Sequence, residues 1–181
     1  MEELDKALKI GVSGPLREEA LSACHKQLQA WGLTMPAVEA LVLDFGLGNF
    51  YKIGLIEYWI ANEVDAGYCG KFLFVFDGQT CPMHHHKEKV ETFHLIKGRM
   101  EVSHGGSLRE MAAGDVLLVP PPVPHSFTAK GPALLLEISK PCIIQDNYFA
   151  ERPPGPRALR GGAPGEDPRI PIGGNCKGHT T

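Results

Sequence analysis

From about residue 38 onward the chain is a succession of short apolar runs, at 40–45, 53–62, 72–76, 91–96, 99–103, 116–119, 125–128 and 133–139. Turn residues part them, notably Asp77-Gly78, His104-Gly105-Gly106 and Ala113-Gly114-Asp115. Many short strands at regular spacing predict an all-β sandwich or barrel. The pattern ahead of them differs. Residues 1–33 read as helical, with good helix formers from Arg17 to Trp31, apolar positions Leu21, Cys24, Leu28 and Trp31 at helical spacing, and Gly32 placed to end the helix. This segment reads as packing rather than chemistry. After Pro141 the chain grows irregular, and 152–166 is rich in Pro, Gly and Arg. Composition alone makes that a tail. The apolar anchors in Glu166-Asp167-Pro168-Arg169-Ile170-Pro171-Ile172 instead predict a segment wrapped over the barrel. The expected plan is a helical segment at 1–35 packing on the barrel, the barrel at 36–150 and an irregular segment at 151–181, with no internal repeat.

Composition changes this picture little. A chain of 181 residues with 43% hydrophobic and 22% charged residues is one ordinary globular domain. A net charge of -3 favours neither nucleic acid nor an anionic membrane surface as partner. No apolar run approaches the ~18 residues of a membrane span. The start, Met-Glu-Glu-Leu-Asp-Lys, lacks the basic and apolar regions of a signal peptide. The expectation is a cytoplasmic protein. The five cysteines are odd in number and show no C-x-x-C spacing, so they read as free thiols.

The chemistry is concentrated between Gly78 and Gly98, in the pattern G-x5-H-x-H-x4-E-x6-G. His84 and His86 are two apart, so on a strand both side chains leave one face. Glu91 follows a short connection, where the chain can return as a neighbouring strand. His125 comes after the run Gly114-Asp115-Val116-Leu117-Leu118-Val119-Pro120. Three imidazoles and a carboxylate form a mixed nitrogen and oxygen set. It suits a divalent ion of the Mn, Fe, Co, Ni or Zn kind and leaves coordination positions for substrate oxygens. Cys81, just before the histidines, could add a thiolate, but four ligands are present without it.

These two blocks resemble the signature of the cupin superfamily. Gly78, His84, His86, Glu91 and Gly98 match the first motif, and Gly114, Pro120 and His125 match the second. Pro122 stands where a glycine is usual and Ala129 where an asparagine is often found; neither change removes a ligand. The resemblance implies a small double-sheet jelly-roll barrel. A finer likeness lies in Asp44-Phe45-Gly46-Leu47-Gly48, Tyr68-Cys69-Gly70-Lys71, Gly78-Gln79-Thr80-Cys81-Pro82 and Asp167-Pro168-Arg169-Ile170, which resemble the D-lyxose isomerase family over roughly residues 41 to 172. That family implies a metal-dependent isomerase of free pentoses or hexoses, typically with manganese. It would interconvert D-lyxose and D-xylulose, and also D-mannose and D-fructose. A homodimer is expected, since cupin barrels commonly pair.

The residues fit such chemistry on their own account. Aldose–ketose isomerisation moves a proton between C1 and C2 while charge develops on oxygen, which a metal can stabilise and a carboxylate can serve. Glu137 stands in the apolar run Ala133-Leu134-Leu135-Leu136-Glu137-Ile138, where an unpaired charge would be costly, so it is paired, functional or at an edge. It is the candidate proton shuttle. Lys71 matches a lysine of the family and is a candidate for steadying an oxyanion or binding a hydroxyl, or else caps a strand end in water. Glu91, Asp167 and Arg169 are further candidates for binding sugar hydroxyls, the last two alternatively forming a surface ion pair. His85 and His94 are expected to point away from the ligands, His104 to lie in a turn, and Phe93 and Phe127 to wall the pocket. Competing readings are a sugar-phosphate isomerase, which would want an Arg/Lys cluster or glycine-rich nest absent near the motifs; a metal-dependent dioxygenase; and a non-catalytic sugar-binding cupin.

Overall fold

The computed structural model describes residues 2–150 of the chain. Two antiparallel sheets face each other. The larger has the order β1 (Ala40–Leu43), β2 (Leu55–Glu63), β3 (Tyr68–Val75), β10 (Ala133–Ser139), β5 (Glu91–Lys97), β8 (Val116–Val119). The smaller has the order β11 (Tyr148–Phe149), β4 (Thr80–His85), β9 (His125–Ala129), β6 (Arg99–His104), β7 (Ser107–Ala112). Strands adjacent in space come from distant parts of the chain, with β10 lying between β3 and β5, as in a jelly roll.

Alternation along the strands divides their side chains between two cores. Leu73 and Val75 of β3, Leu135 of β10, and Phe93 and Leu95 of β5 point between the sheets, where they meet Met100, Val102 and Phe127 of the smaller sheet. Each such side chain contributes roughly 1.5–3 kcal/mol when fully buried. The odd-numbered positions of β2, β3, β5 and β10 thus face the barrel interior, and Glu57, Lys71, Glu91 and Glu137 share that parity. The opposite face of β2 and β3 carries Ile56, Tyr58 and Phe74, which are covered by Ala20, Cys24 and Leu28 of helix α2 (Pro15–Ala30). That second layer explains why β2 reads as an almost continuous apolar run: both of its faces are covered.

The N-terminal segment is helical in two pieces, not one. Helix α1 (Glu2–Leu8) is separated from α2 by residues 9–14. Gly14, at φ 68, breaks the helical path, and Pro15 opens α2, where a missing N–H costs nothing. The linker is used: the Val12 N–H bonds the Val42 carbonyl at 2.7 Å, occupying part of the free edge of β1. Gly32, at φ 68, ends α2 as the sequence predicts. Leu33 N–H reaches back to Leu28 O and Gly32 N–H to Gln29 O, the paired bonds of a Schellman motif.

Other expectations shift by small amounts. Lys71 does not begin its strand but lies in the middle of β3. His104 closes β6 rather than sitting in the turn beyond it. The strand β7 was not predicted because almost all of it is exposed and carries no apolar pattern. Gly98, the last glycine of the first motif, makes the β5–β6 turn at φ 87, where an added Cβ would lie 2.9 Å from Ala133 Cα.

Candidate metal centre and ionic cavity

His84 is the next-to-last residue of β4 and His125 opens β9, and the two are paired across the strands. His86 lies one residue beyond β4, and Glu91 begins β5. The ligand atoms of these four buried residues lie within 4.8 Å of one another. Main-chain carbonyls orient the rings. His84 Nδ1 is 2.8 Å from Pro82 O, His86 Nδ1 2.7 Å from Asp146 O, and His125 Nδ1 3.1 Å from Val123 O. A carbonyl can only accept, so each Nδ1 is the donor, which leaves each Nε2 as the ring atom available to a metal.

There the donor set becomes incomplete. His125 Nε2 is 3.0 Å from Glu91 Oε2, and His86 Nε2 is 3.3 Å from Glu91 Oε1. His86 Nε2, His125 Nε2 and Glu91 Oε2 are buried without a hydrogen-bond partner. Lone pairs converging at these distances repel unless a cation lies between them, so the donor set fits a divalent metal. Protonation favours the same reading. Burial, aided by His125, holds His84 well below the usual histidine range, in the neutral form that binds metal. Burial alone would raise the pKa of Glu91, but the Lys89 ammonium beside it reverses the sign and holds the carboxyl well below its usual value.

A row of buried charges extends from this cluster along the floor of the cavity. Lys89 Nζ lies 2.7 Å from Glu91 and 2.6 Å from Glu137 Oε1. Lys71 Nζ lies 3.3 Å from Glu137 Oε2 and 3.2 Å from Glu57. Glu57 also accepts from Trp59 Nε1 at 2.5 Å, and Ser139 Oγ donates to Glu137 at 3.0 Å. Burial would lower the pKa of both lysines. For Lys89, Glu137 and Glu91 reverse that and raise it. For Lys71 the nearby negative groups do the same. Cys142, next to Lys71, is a neutral thiol at pH 7 because burial pushes its pKa up to about 11, so Glu137 and Glu57 carry the effect. Three carboxylates against two ammoniums leave one negative charge facing the histidines. Burying so many ions rarely stabilises a fold, since apolar packing does as well at lower desolvation cost, so the row points to chemistry.

The cavity offers about 80 Å³ to the centres of water-sized molecules. One wall is the ionic row with His84 and His86. The other is apolar, with Phe45, Leu73, Phe93, Phe127 and Phe149. Ala7 of α1, Ile10, Ile144 and Asn147 also line it.

The structure thus brings together His84, His86, Glu91, His125, Glu137 and Lys71. Asp167 and Arg169, together with the expected C-terminal wrap, lie outside the described residues. Glu57 and Lys89 belong to the site and were missed. Glu57 carried the same signal as Glu137, a lone carboxylate in an apolar run, Leu55-Ile56-Glu57-Tyr58-Trp59. Lys89, in the charged stretch Lys87-Glu88-Lys89, carried none. His94 is exposed, and His85 stacks on Tyr148, away from the cluster. The four cysteines of the described residues, Cys24, Cys69, Cys81 and Cys142, are free and buried.

Known proteins share both the barrel and its local sequence. The model of the cupin domain matches residues 73–139, and that of D-lyxose isomerase matches residues 39–94. The chain is thus similar to D-lyxose isomerases over the first part of its barrel and to cupin domains over most of the rest. A D-lyxose/D-mannose isomerase of Thermosediminibacter oceani is 40% identical over 65 residues, 33% of this chain. The match spans about a third of that relative, 35% of its length. Among solved structures, L-ribose isomerase of Cellulomonas parahominis aligns with a TM-score of 0.65 at 18% identity, over 83% of this chain and 98% of the other. L-ribose isomerase of Geodermatophilus obscurus aligns with a TM-score of 0.66 at 17% identity, over 83% and 98%. At these identities the likeness establishes the cupin fold alone. Among the described residues no helix is long and apolar enough to cross a membrane.

Proposed function

We propose that the chain is a metal-dependent aldose–ketose isomerase of free sugars that interconverts D-lyxose and D-xylulose, and D-mannose and D-fructose. The observation that carries this reading is the second carboxylate, Glu137, joined to the ligand Glu91 through the single ammonium of Lys89. A cupin that only bound a sugar or an ion would gain nothing from it. The D-lyxose isomerase match over residues 39–94 and the name of the T. oceani relative support the substrate class.

His84, His86, Glu91 and His125 would hold the ion, manganese on the family's precedent. When bound, it would polarise the sugar carbonyl and steady the charge that develops on the adjacent oxygens. The protein's own groups do the rest. Glu137 takes the proton from C2 of the aldose and returns it to C1, while the hydroxyl proton passes from O2 to O1. Lys71 and Lys89 hold Glu137 by both oxygens, and a sugar hydroxyl entering the cavity competes for the same ammonium protons. The phenylalanine wall excludes water from the reacting carbons.

The test is a panel of free aldoses and ketoses offered to metal-stripped protein re-supplied with Mn²⁺, Co²⁺, Fe²⁺, Ni²⁺ or Zn²⁺. Turnover of D-lyxose that vanishes on stripping and returns with one of these ions is the expected result. Turnover at the untreated rate in verified metal-free protein would exclude the Lewis-acid reading.

A further inference from the structure

We propose that Asp146, a residue with no place in the metal cluster itself, is the positioning residue that sets the distance between the ligands His86 and Glu91. The inference rests on the metal reading above. His86 and Glu91 are joined by the four residues 87–90, which form no strand or helix and carry Lys89 into the ionic row. Such a connection has many conformations, and only a few of them bring both ligands and the ammonium inward.

Asp146 removes that freedom from two directions. Its carboxylate accepts three successive main-chain N–H groups, from Lys87 at 2.9 Å, Glu88 at 3.2 Å and Lys89 at 3.0 Å. Consecutive amides turned toward one anion form a nest, and the anion here is built into the chain. Its main-chain carbonyl takes the His86 Nδ1–H at 2.7 Å, which fixes the tautomer and the ring plane. One residue thus grips the ligand at the start of the loop and the three amides that follow. Asp146 is itself held in a 3-10 turn (Ile144–Asp146), its N–H bonded to Ile143 O at 3.0 Å. The same turn is tied to α1, where Ile144 N–H donates to the Glu3 carboxylate at 2.8 Å.

The experiment compares Asp146→Ala and Asp146→Asn with the native protein and with Asp77→Ala. Asp77 is another aspartate that clamps a loop, accepting Gly131 N–H at 2.6 Å, but it lies at the β3–β4 turn away from the cluster. Three measurements are made: the Mn²⁺ dissociation constant by calorimetry, the visible spectrum of the Co²⁺-loaded protein, and hydrogen exchange at the amides of Lys87, Glu88 and Lys89 without metal. Asp146→Ala should weaken Mn²⁺ binding by about 10–100-fold, change the Co²⁺ bands and lose protection at those three amides. Asp146→Asn, which keeps one acceptor, should fall between it and the native protein, and Asp77→Ala should match the native protein in all three. Native Mn²⁺ affinity and native Co²⁺ bands in Asp146→Ala overturn the proposal, as does equal weakening in Asp77→Ala. If Asp146→Ala does not fold, Asp146→Asn decides by the same criteria. Native protein that takes up no metal overturns the metal reading instead, and is read directly from the first titration.

Discussion

The Lys89 ammonium sits 2.6 Å from the Glu137 carboxylate, joining a loop residue to the last strand of the barrel core. Through Lys89, the proposed proton shuttle and the ligand Glu91 share one cation. Replacing Glu137 by Gln keeps the shape but removes the base. The expected result is a fall in kcat of roughly 10²–10⁴-fold with metal content unchanged. Near-native kcat in this variant, together with no solvent deuterium at C1 or C2 of the product, would favour a direct hydride shift over proton transfer.

The bare nitrogens facing Glu91 make the histidines the most sensitive test of the metal centre. His84→Ala and His125→Ala should each lose most bound metal, read by elemental analysis of protein purified with excess Mn²⁺. Full occupancy in both variants would remove these residues from the ligand set.

Lys71 is wedged between Glu57 and Glu137 with almost no exposure, so its removal leaves the buried Glu57 without its cation and Glu137 with Lys89 alone. Lys71→Met should lower folding stability by about 3–5 kcal/mol, as expected for breaking a buried pair by one partner. The double change Glu57→Gln with Lys71→Met should cost less than Lys71→Met alone, because it removes the stranded charge. Chemical denaturation of the two proteins makes the comparison.

Glu3 ties α1 to the turn at Ile144, and its pKa responds. Burial pushes it up, but the Ile144 N–H and the Lys6 ammonium outweigh this, and the net shift is downward. A carboxyl with a depressed folded pKa contributes stability above its unfolded value, near 4.5, and loses that contribution as pH falls through the folded value. Glu3→Gln should therefore cost about 1–2 kcal/mol at pH 7 and less at pH 3. Melting curves of the two proteins at both values give the answer.

Most of the barrel and all four clustered ligands were visible in the residue pattern, and the reason is periodicity. A ligand on a strand must share the inward parity of the core, so His84, Glu91, His125 and Glu137 are marked by apolar neighbours of known spacing. His86 follows the same spacing although its strand ends one residue earlier. What the pattern could not give were contacts decided by folding over long distances. Lys89 reads as one charge among three until Glu91 and Glu137 close around it, and Glu57 was open to the argument used for Glu137. The break between α1 and α2 was written in Gly11 and Gly14, which the helical spacing farther along outweighed. An exposed strand such as β7 leaves no apolar trace.

The five members of the ionic row come from β2, β3, β10, the 87–90 loop and β5, and of the neighbours in the row only Lys89 and Glu91 are close in the chain. No fragment of the protein can therefore hold a working part of the site. Detaching any one strand strands a charge in the interior and removes a partner from the next. Loss of catalysis on heating should coincide with the collapse of the whole barrel, without an earlier inactive but folded stage, so that activity serves as a thermometer for the global fold.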